Sequence, residues 1–274
     1  RTAKEWERIF GRNKFPGAPQ RWLQEWINDD HAETSGLMID VEDPEFGTMI
    51  QPGPVVWLEE SGEAALSPTP RRWVDVSTAL AQLKRHRTKL PRVTDASDRS
   101  GWLDGVRVLD LCNVIAGPHS VSDLARFGAD VIKRDPATRS VDVVVWNAPD
   151  NQIAKMGLDA QSLAKINPDA VFCKLDCFSG VHRGPRTDYV GYDDLVQATT
   201  GIMLRFGGVM SETEEHAHVG TIDVMCGFGG ALGVATALYQ QLKTGRIGRG
   251  RTSLSSNSGL LQIPFCYDYT GRGL

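Results

Sequence analysis

Asp223 is a carboxylate at the head of a long apolar run. The segment His218-Val219-Gly220-Thr221-Ile222-Asp223-Val224-Met225-Cys226-Gly227-Phe228-Gly229-Gly230 leads into small apolar residues through position 242. That run predicts a buried helix whose Ala and Gly let neighbouring backbone approach. Two roles are open to the Asp. It can cap the helix, accepting a first-turn N–H and suiting the positive end of the peptide dipoles. Or it can be a nucleophile held at the edge of a pocket. A nucleophilic Asp must be ionised, so a normal or lowered pKa suffices, and a helix N-terminus would help. His216 and His218 lie close by and read as a polar loop; His218 is also a candidate base.

The elements that must position this carboxylate follow from the pattern along the chain. Up to position 28, Trp6, Ile9 and Phe10, then Trp22, Leu23, Trp26 and Ile27, fall at helical spacing on two amphipathic helices. Short β-like runs follow at residues 37–41, 49–50 and 54–58, separated by turn pairs such as Asp43-Pro44 and Phe46-Gly47. Residues 61–100 read as a linker with one short helix at 77–83 and a basic, polar tail at 84–99.

From position 101 strands alternate with helices. Residues 105–111, 130–133, 141–146 and 170–175 are Val/Ile-rich strands, and 251–255 a last one. Ala116-Gly117-Pro118 reads as a tight turn before a helix at 119–127; other helices are expected at 159–166 and from Tyr189 to Thr200. This is an α/β protein with a Rossmann-like, mostly parallel sheet and flanking helices, preceded by a small α+β lobe. Ligands then sit outside the carboxyl ends of the strands, in the loops at 113–117, 147–151 and 176–185.

Composition narrows the function. The net charge of −4 and the lack of a basic cluster argue against a nucleic-acid partner. No uninterrupted apolar stretch reads as a membrane span. The five Cys lack CxxC spacing and read as reduced core thiols of a cytoplasmic protein, and the six His do not join them at zinc-ligand spacing, so no metal is expected. The first strand is not followed by GxGxxG, which speaks against an NAD-linked oxidoreductase.

Several segments, in order, resemble the N-terminal half of a class III (family III) CoA-transferase, the group of formyl-CoA and carnitine CoA-transferases. They are Gly105-Val106-Arg107-Val108-Leu109-Asp110 with Ala116-Gly117-Pro118; Phe127-Gly128-Ala129-Asp130-Val131-Ile132-Lys133; Lys155-Met156-Gly157-Leu158 with Asn167-Pro168; Gly191-Tyr192-Asp193-Asp194-Leu195; Gly220 through Asp223; and Lys243-Thr244-Gly245-Arg246. The resemblance implies a nucleophile at Asp223, Tyr192 beside the adenine of coenzyme A, and Lys155 near its phosphates. It also implies a thioester end lined by Asn113, Val114, Ile115 and Ala116. CoA would arrive as acyl-CoA, the acceptor would be a carboxylic acid, and a homodimer is expected.

Glu5-Trp6, Phe15-Pro16-Gly17-Ala18-Pro19 and Gly36-Leu37-Met38 resemble the C-terminal half of the same family. Residues 1–60 then read as the C-terminal lobe of one unit, 61–100 as a linker, and 101–274 as the N-terminal half of a second unit. That order resembles the long two-unit members, among them those that attach CoA to dimethylsulfoniopropionate and release dimethyl sulfide. One departure stands out. Only Pro136-Ala137-Thr138-Arg139-Ser140 lies where the family has a CoA-binding segment. Parallel strands need a crossover of about a dozen residues or more, so a segment is expected to be missing here. Two alternatives are weighed. An α-methylacyl-CoA racemase would want a titratable His where Tyr192 stands. A fragment that binds CoA without chemistry would show no acyl exchange.

Overall fold

The computed structural model describes residues 1–67, 74–85, 101–133, 141–208, 217 and 220–272. The basic stretch after position 85, the short join at 136–140, His216 and His218 lie outside the described residues.

Helix α1 (Ala3–Arg12) starts on a reciprocal cap, Thr2 accepting from the Glu5 N–H while Glu5 accepts from the Thr2 N–H. The second expected helix is short, α2 (Leu23–Ile27), and α3 (Asp30–Thr34) follows on an Asp29 cap. Strands β1 (Met38–Asp43) and β2 (Gly47–Pro52) form an antiparallel hairpin. Strand β3 (Val56–Leu58), a 3-10 turn (Glu59–Leu66) and α4 (Val76–Arg85) complete the N-terminal part.

The second part alternates as expected: β4 (Arg107–Asp110), α5 (Ala116–Arg126), β5 (Asp130–Lys133), β6 (Val143–Trp146), α6 (Asp150–Lys155), α7 (Ala160–Ile166) and β7 (Val171–Asp176). Then come α8 (Asp193–Thr200), α9 (Ile202–Phe206), α10 (Thr221–Thr244), β8 (Arg249–Ser253), α11 (Leu254–Leu261), α12 (Ile263–Cys266) and β9 (Asp268–Tyr269). The main sheet has the order β3-β8-β7-β6-β4-β5, with β4 to β8 parallel and β3 antiparallel at the edge. Its two faces bury different residues of the same strands. Val108, Val143, Val145, Val171 and Cys173 pack with α5 and α10, while Leu109, Val144, Trp146 and Phe172 pack with α6 and α7.

Several boundaries differ from the sequence pattern. The 116–118 turn is already helical, because Pro is tolerated in a first turn where its missing N–H is not needed. The loop at 147–151 gives way to α6, too short to show a period. The helix expected from Tyr189 begins at Asp193. Ser255 belongs to α11, where the Ser253 side chain caps the Ser256 N–H. The segment read as free of membrane-spanning character contains α10, which is long and apolar enough to cross a membrane by length and composition alone. Part of it packs against α5, β7, β8 and α11, while Phe228, Leu232 and Leu242 are exposed.

Residues near the two ends of the chain complete each other's sheets. β2 pairs with β9, and β3 with β8. A buried ion cluster ties α1 and α3 to the loop before α8. Arg186 donates to both carboxylate oxygens of Glu7, at 2.9 and 3.1 Å, and to both oxygens of Asp29. Arg21 donates to Glu7 at 2.6 Å. Next to it, fully buried His31 donates from Nε2 to the Phe178 carbonyl at 2.7 Å and accepts the Arg186 N–H at Nδ1, which defines a neutral ring.

Burial pushes the His31 pKa down to about 4. Between about pH 6.5 and 4 the unfolded chain therefore binds a proton that the folded chain excludes. Stability conferred by the neutral ring is complete above pH 6.5 and is lost as the pH falls through that window, by roughly 3 kcal/mol in all. Urea denaturation of wild type at pH 7 and pH 4.5 should show this decline, and His31→Gln should flatten it.

Candidate active site at the start of helix α10

The strand order reverses beside β4, which has β5 on one side and β6 on the other. The crevice of an open α/β sheet lies outside the carboxyl ends of the strands at such a point. Here the loops after β4 and β6 are locked together: the Asn113 N–H donates to Asn147 Oδ1 at 2.9 Å, and Asn147 Nδ2 donates to the Asn113 carbonyl at 2.6 Å. The next residue, Val114, has φ +59°. A β-branched residue in that region is strained, and such strain concentrates at sites that use it. Val114 and Ile115 are exposed, while Ala116 is buried at the start of α5.

Helix α10 reaches this loop. A β-carbon at Gly220, whose φ is +65°, would lie 3.2 Å from Ile115 Cδ1. One at Gly227 would lie 2.6 Å from His119 Cδ2 and 3.0 Å from the Ala116 carbonyl oxygen, so only Gly lets α10 lie this close to α5. The apolar Gly/Ala run thus brings the first turn of α10 to the crevice.

Asp223 sits in that first turn, with 9% of its surface exposed. It does not cap the helix. The capping position is Gly220, which has no side chain, and among the described residues the Asp223 carboxylate accepts no hydrogen bond. The Asp223 N–H instead donates to Asp193 Oδ2 at 2.8 Å. Burial, with the negative charges of Asp193 and Asp194, raises the Asp223 pKa to about 6. Two carboxylates and desolvation here outweigh the help that a helix start gives to the ionised form.

Tyr192 immediately precedes α8 and is half exposed, while its neighbour Asp193 is what the α8 start brings to the α10 start. Lys155 is elsewhere. It ends α6, exposed, on the sheet face opposite α10. A cavity of about 290 Å³ lies on that opposite face between Trp146, Asp150, Phe172, Lys174 and Arg251, and Asp223 does not line it. Sequence reasoning named neither Asp193 nor Asn147 as a site residue. The signal for Asn147 was its place at the end of the strand adjacent to β4; Asp193 reads in sequence as an ordinary acidic first-turn residue.

Three comparisons bear on this site. The sequence profile of CoA-transferase family III matches residues 103–140 and 137–272, in two pieces that meet at the short join. The CoA-transferase/lyase DddD of Marinomonas sp. (strain MWYL1) is 48% identical over 318 residues, covering 99% of this chain and 38% of that protein. The matched span is longer than the whole 274-residue chain, so the relative carries additional residues within it. Succinate–glutarate CoA-transferase of Agrobacterium fabrum (strain C58 / ATCC 33970) is 27% identical over 206 residues, covering 56% of this chain and 51% of its own. The chain therefore spans about half or less of these curated relatives. Among solved structures, the hypothetical protein Rv3272 of Mycobacterium tuberculosis superposes with a TM-score of 0.55 at 22% identity, over 61% of this chain and 58% of that one, a likeness of fold.

Proposed function

The chain belongs to CoA-transferase family III, and from that premise we propose that the protein moves CoA from an acyl-CoA donor to a carboxylic acid through an aspartyl-CoA thioester on Asp223. The observation that carries this reading is a buried carboxylate of raised basicity in the first turn of α10, the helix whose capping Gly220 lies against Ile115 of the loop after β4.

The Asp223 carboxylate attacks the thioester carbonyl, the C–S bond breaks, and a mixed anhydride and CoA thiolate result. The thiolate attacks the Asp223 carbonyl of the anhydride and expels the donor acid, leaving CoA on Asp223. The acceptor carboxylate attacks that thioester and again releases thiolate. The thiolate takes the acceptor acyl group and frees Asp223. Each step exchanges one acyl bond for another, which divides one difficult displacement into easier ones. Residues 113–116 would line the thioester end and Tyr192 the adenine. Lys155, the candidate for the phosphates, ends α6 on the sheet face opposite Asp223.

A second step is supported by the name of the Marinomonas relative, which joins transferase to lyase. A CoA thioester acidifies the proton α to its carbonyl. A base can then remove that proton while a β-substituent leaves, as dimethyl sulfide would from the CoA thioester of dimethylsulfoniopropionate. We assign residues 1–60 to the end of one transferase unit and 101–274 to the start of another. The additional residues of the relative and the two-piece profile match support a CoA-binding segment at the join.

The test is mass mapping of the full-length protein after incubation with acyl-CoA. A CoA-sized, hydroxylamine-labile adduct on the Asp223 peptide is expected; a protein that binds CoA and exchanges acyl groups without it overturns the mechanism. Because Asp223 must be ionised and its pKa is about 6, kcat/KM should fall about tenfold per pH unit below that value and be level above it.

A further inference from the structure

Asp193 joins two helix starts. It is 4% exposed and uses both carboxylate oxygens: Oδ2 accepts the Asp223 N–H at 2.8 Å, and Oδ1 accepts Gln197 Nε2. Gln197 Oε1 in turn accepts the Ala217 N–H at 2.8 Å. One buried carboxylate thus ties α8 to the first turn of α10 and, through Gln197, to Ala217, four residues ahead of Thr221. The first N–H groups of a helix have no partner within it and normally face whatever anion is nearby. Here one of them is engaged by Asp193, so that part of the positive helix end is spent on the neighbour and does not stabilise the Asp223 carboxylate.

We infer that Asp193 is a positioning residue for the acyl exchange: by accepting the Asp223 N–H it fixes the backbone from which the Asp223 side chain projects and sets a second carboxylate beside the first turn of α10. This rests on Asp223 being the nucleophile. The groups that face Asp223 are consistent with it. Asp193 and Asp194 come from α8, the half-buried Cys177 from just after β7, and the buried Cys226 from α10 itself. The His119 ring of α5 packs beside Gly227 and Phe228, beyond Asp223 along the helix. A more basic carboxylate attacks a thioester better, and at neutral pH it is still ionised.

The experiment is a pH titration of the full-length chain carrying 13C-carboxyl aspartate, with Asp193→Asn and Asp193→Glu beside wild type. Asn keeps the shape and an oxygen for the Asp223 N–H but removes the charge. The Asp223 midpoint is expected near 6 in wild type, lower by about one unit in Asp193→Asn, and back near the wild-type value in Asp193→Glu. The acid limb of the acyl-exchange profile should shift with it. The plateau kcat should fall several-fold in Asp193→Asn while KM for acyl-CoA stays level. An unmoved midpoint in folded Asp193→Asn overturns the proposal. Should that variant not fold, Asp193→Ser decides in its place: an Asp223 midpoint that stays near the wild-type value there overturns the coupling. The two readings fail separately. Coupled titration without an adduct sinks the nucleophile and spares the coupling; an adduct with uncoupled titration does the reverse.

Discussion

Asp223→Asn should lose acyl exchange and gain stability in the same molecule. With its nucleophile gone the enzyme should slow at least ~10³-fold, since removing a covalent nucleophile has cost far more than that in a hydrolase. The stability gain follows from the raised pKa. The ordinary value is 3.8 and the folded value about 6. Between these values the folded chain holds a proton that the unfolded chain has released, so ionised Asp223 weighs against folding. The penalty is absent below about pH 3.8, grows through the window, and is full above 6, on the order of 3 kcal/mol. At pH 7 the urea midpoint of Asp223→Asn should exceed that of wild type, and the difference should vanish near pH 3.5. A helix cap predicts the reverse for Asp223→Ala, a loss of about 1 kcal/mol. The sign of the change in stability at neutral pH therefore separates the two roles without any substrate.

The second large effect is expected at Arg186. Its guanidinium is 6% exposed and answers Glu7, 4% exposed, and Asp29 together. Burial alone would raise both carboxyls, but the hydrogen bonds and charge of Arg186 hold them below the ordinary range. Arg186→Met leaves Glu7 to Arg21 and Asp29 to its helix-cap contact, with buried charge uncompensated. Breaking one member of a buried ion pair costs about 3–5 kcal/mol, whereas replacing all members with apolar residues of similar volume is often neutral. Arg186→Met should therefore lower stability by roughly that amount in urea, and only replacing the cluster together, Glu7→Leu, Arg21→Met and Arg186→Met with Asp29→Asn to keep the α3 cap, should recover most of it. Limited proteolysis should cut the single variant near α1, because the cluster is what holds α1 and α3 to the loop before α8. A change below 1 kcal/mol in Arg186→Met would show that α1 is held by its apolar contacts instead.

How legible this was depends on the range of the interaction. Strands β4 to β7 could be read because a parallel strand covered on both faces is a continuous Val/Ile run, as in Val143-Val144-Val145. The long helix could be read because its residues are small and apolar for more than five turns. Helix α6 could not, since six residues carry no period. Neither could the pairing of β3 with β8 or β2 with β9, which depends on residues from opposite ends of the chain. At the site, the Asp223 type and place were legible but its electrostatics were not. Local sequence suggests a carboxylate eased by a helix dipole. What raises its pKa is burial with Asp193 and Asp194, which lie 30 residues away on another helix and are brought in by packing alone.

The edge strand β3 has a consequence for how the chain is made. Thr252 of β8 donates to the Val55 carbonyl across 197 residues of sequence. At a synthesis rate of ~5–20 residues per second, the partner of β3 leaves the ribosome roughly 10–40 s after β3 itself. Throughout that interval Val56, Trp57 and Leu58 have no ladder to join, and the hairpin of β1 and β2 lacks β9. An unpaired apolar edge is a template for pairing with another chain. Nascent chains stalled before β8 should therefore bind chaperone or aggregate, whereas those released beyond β9 should not.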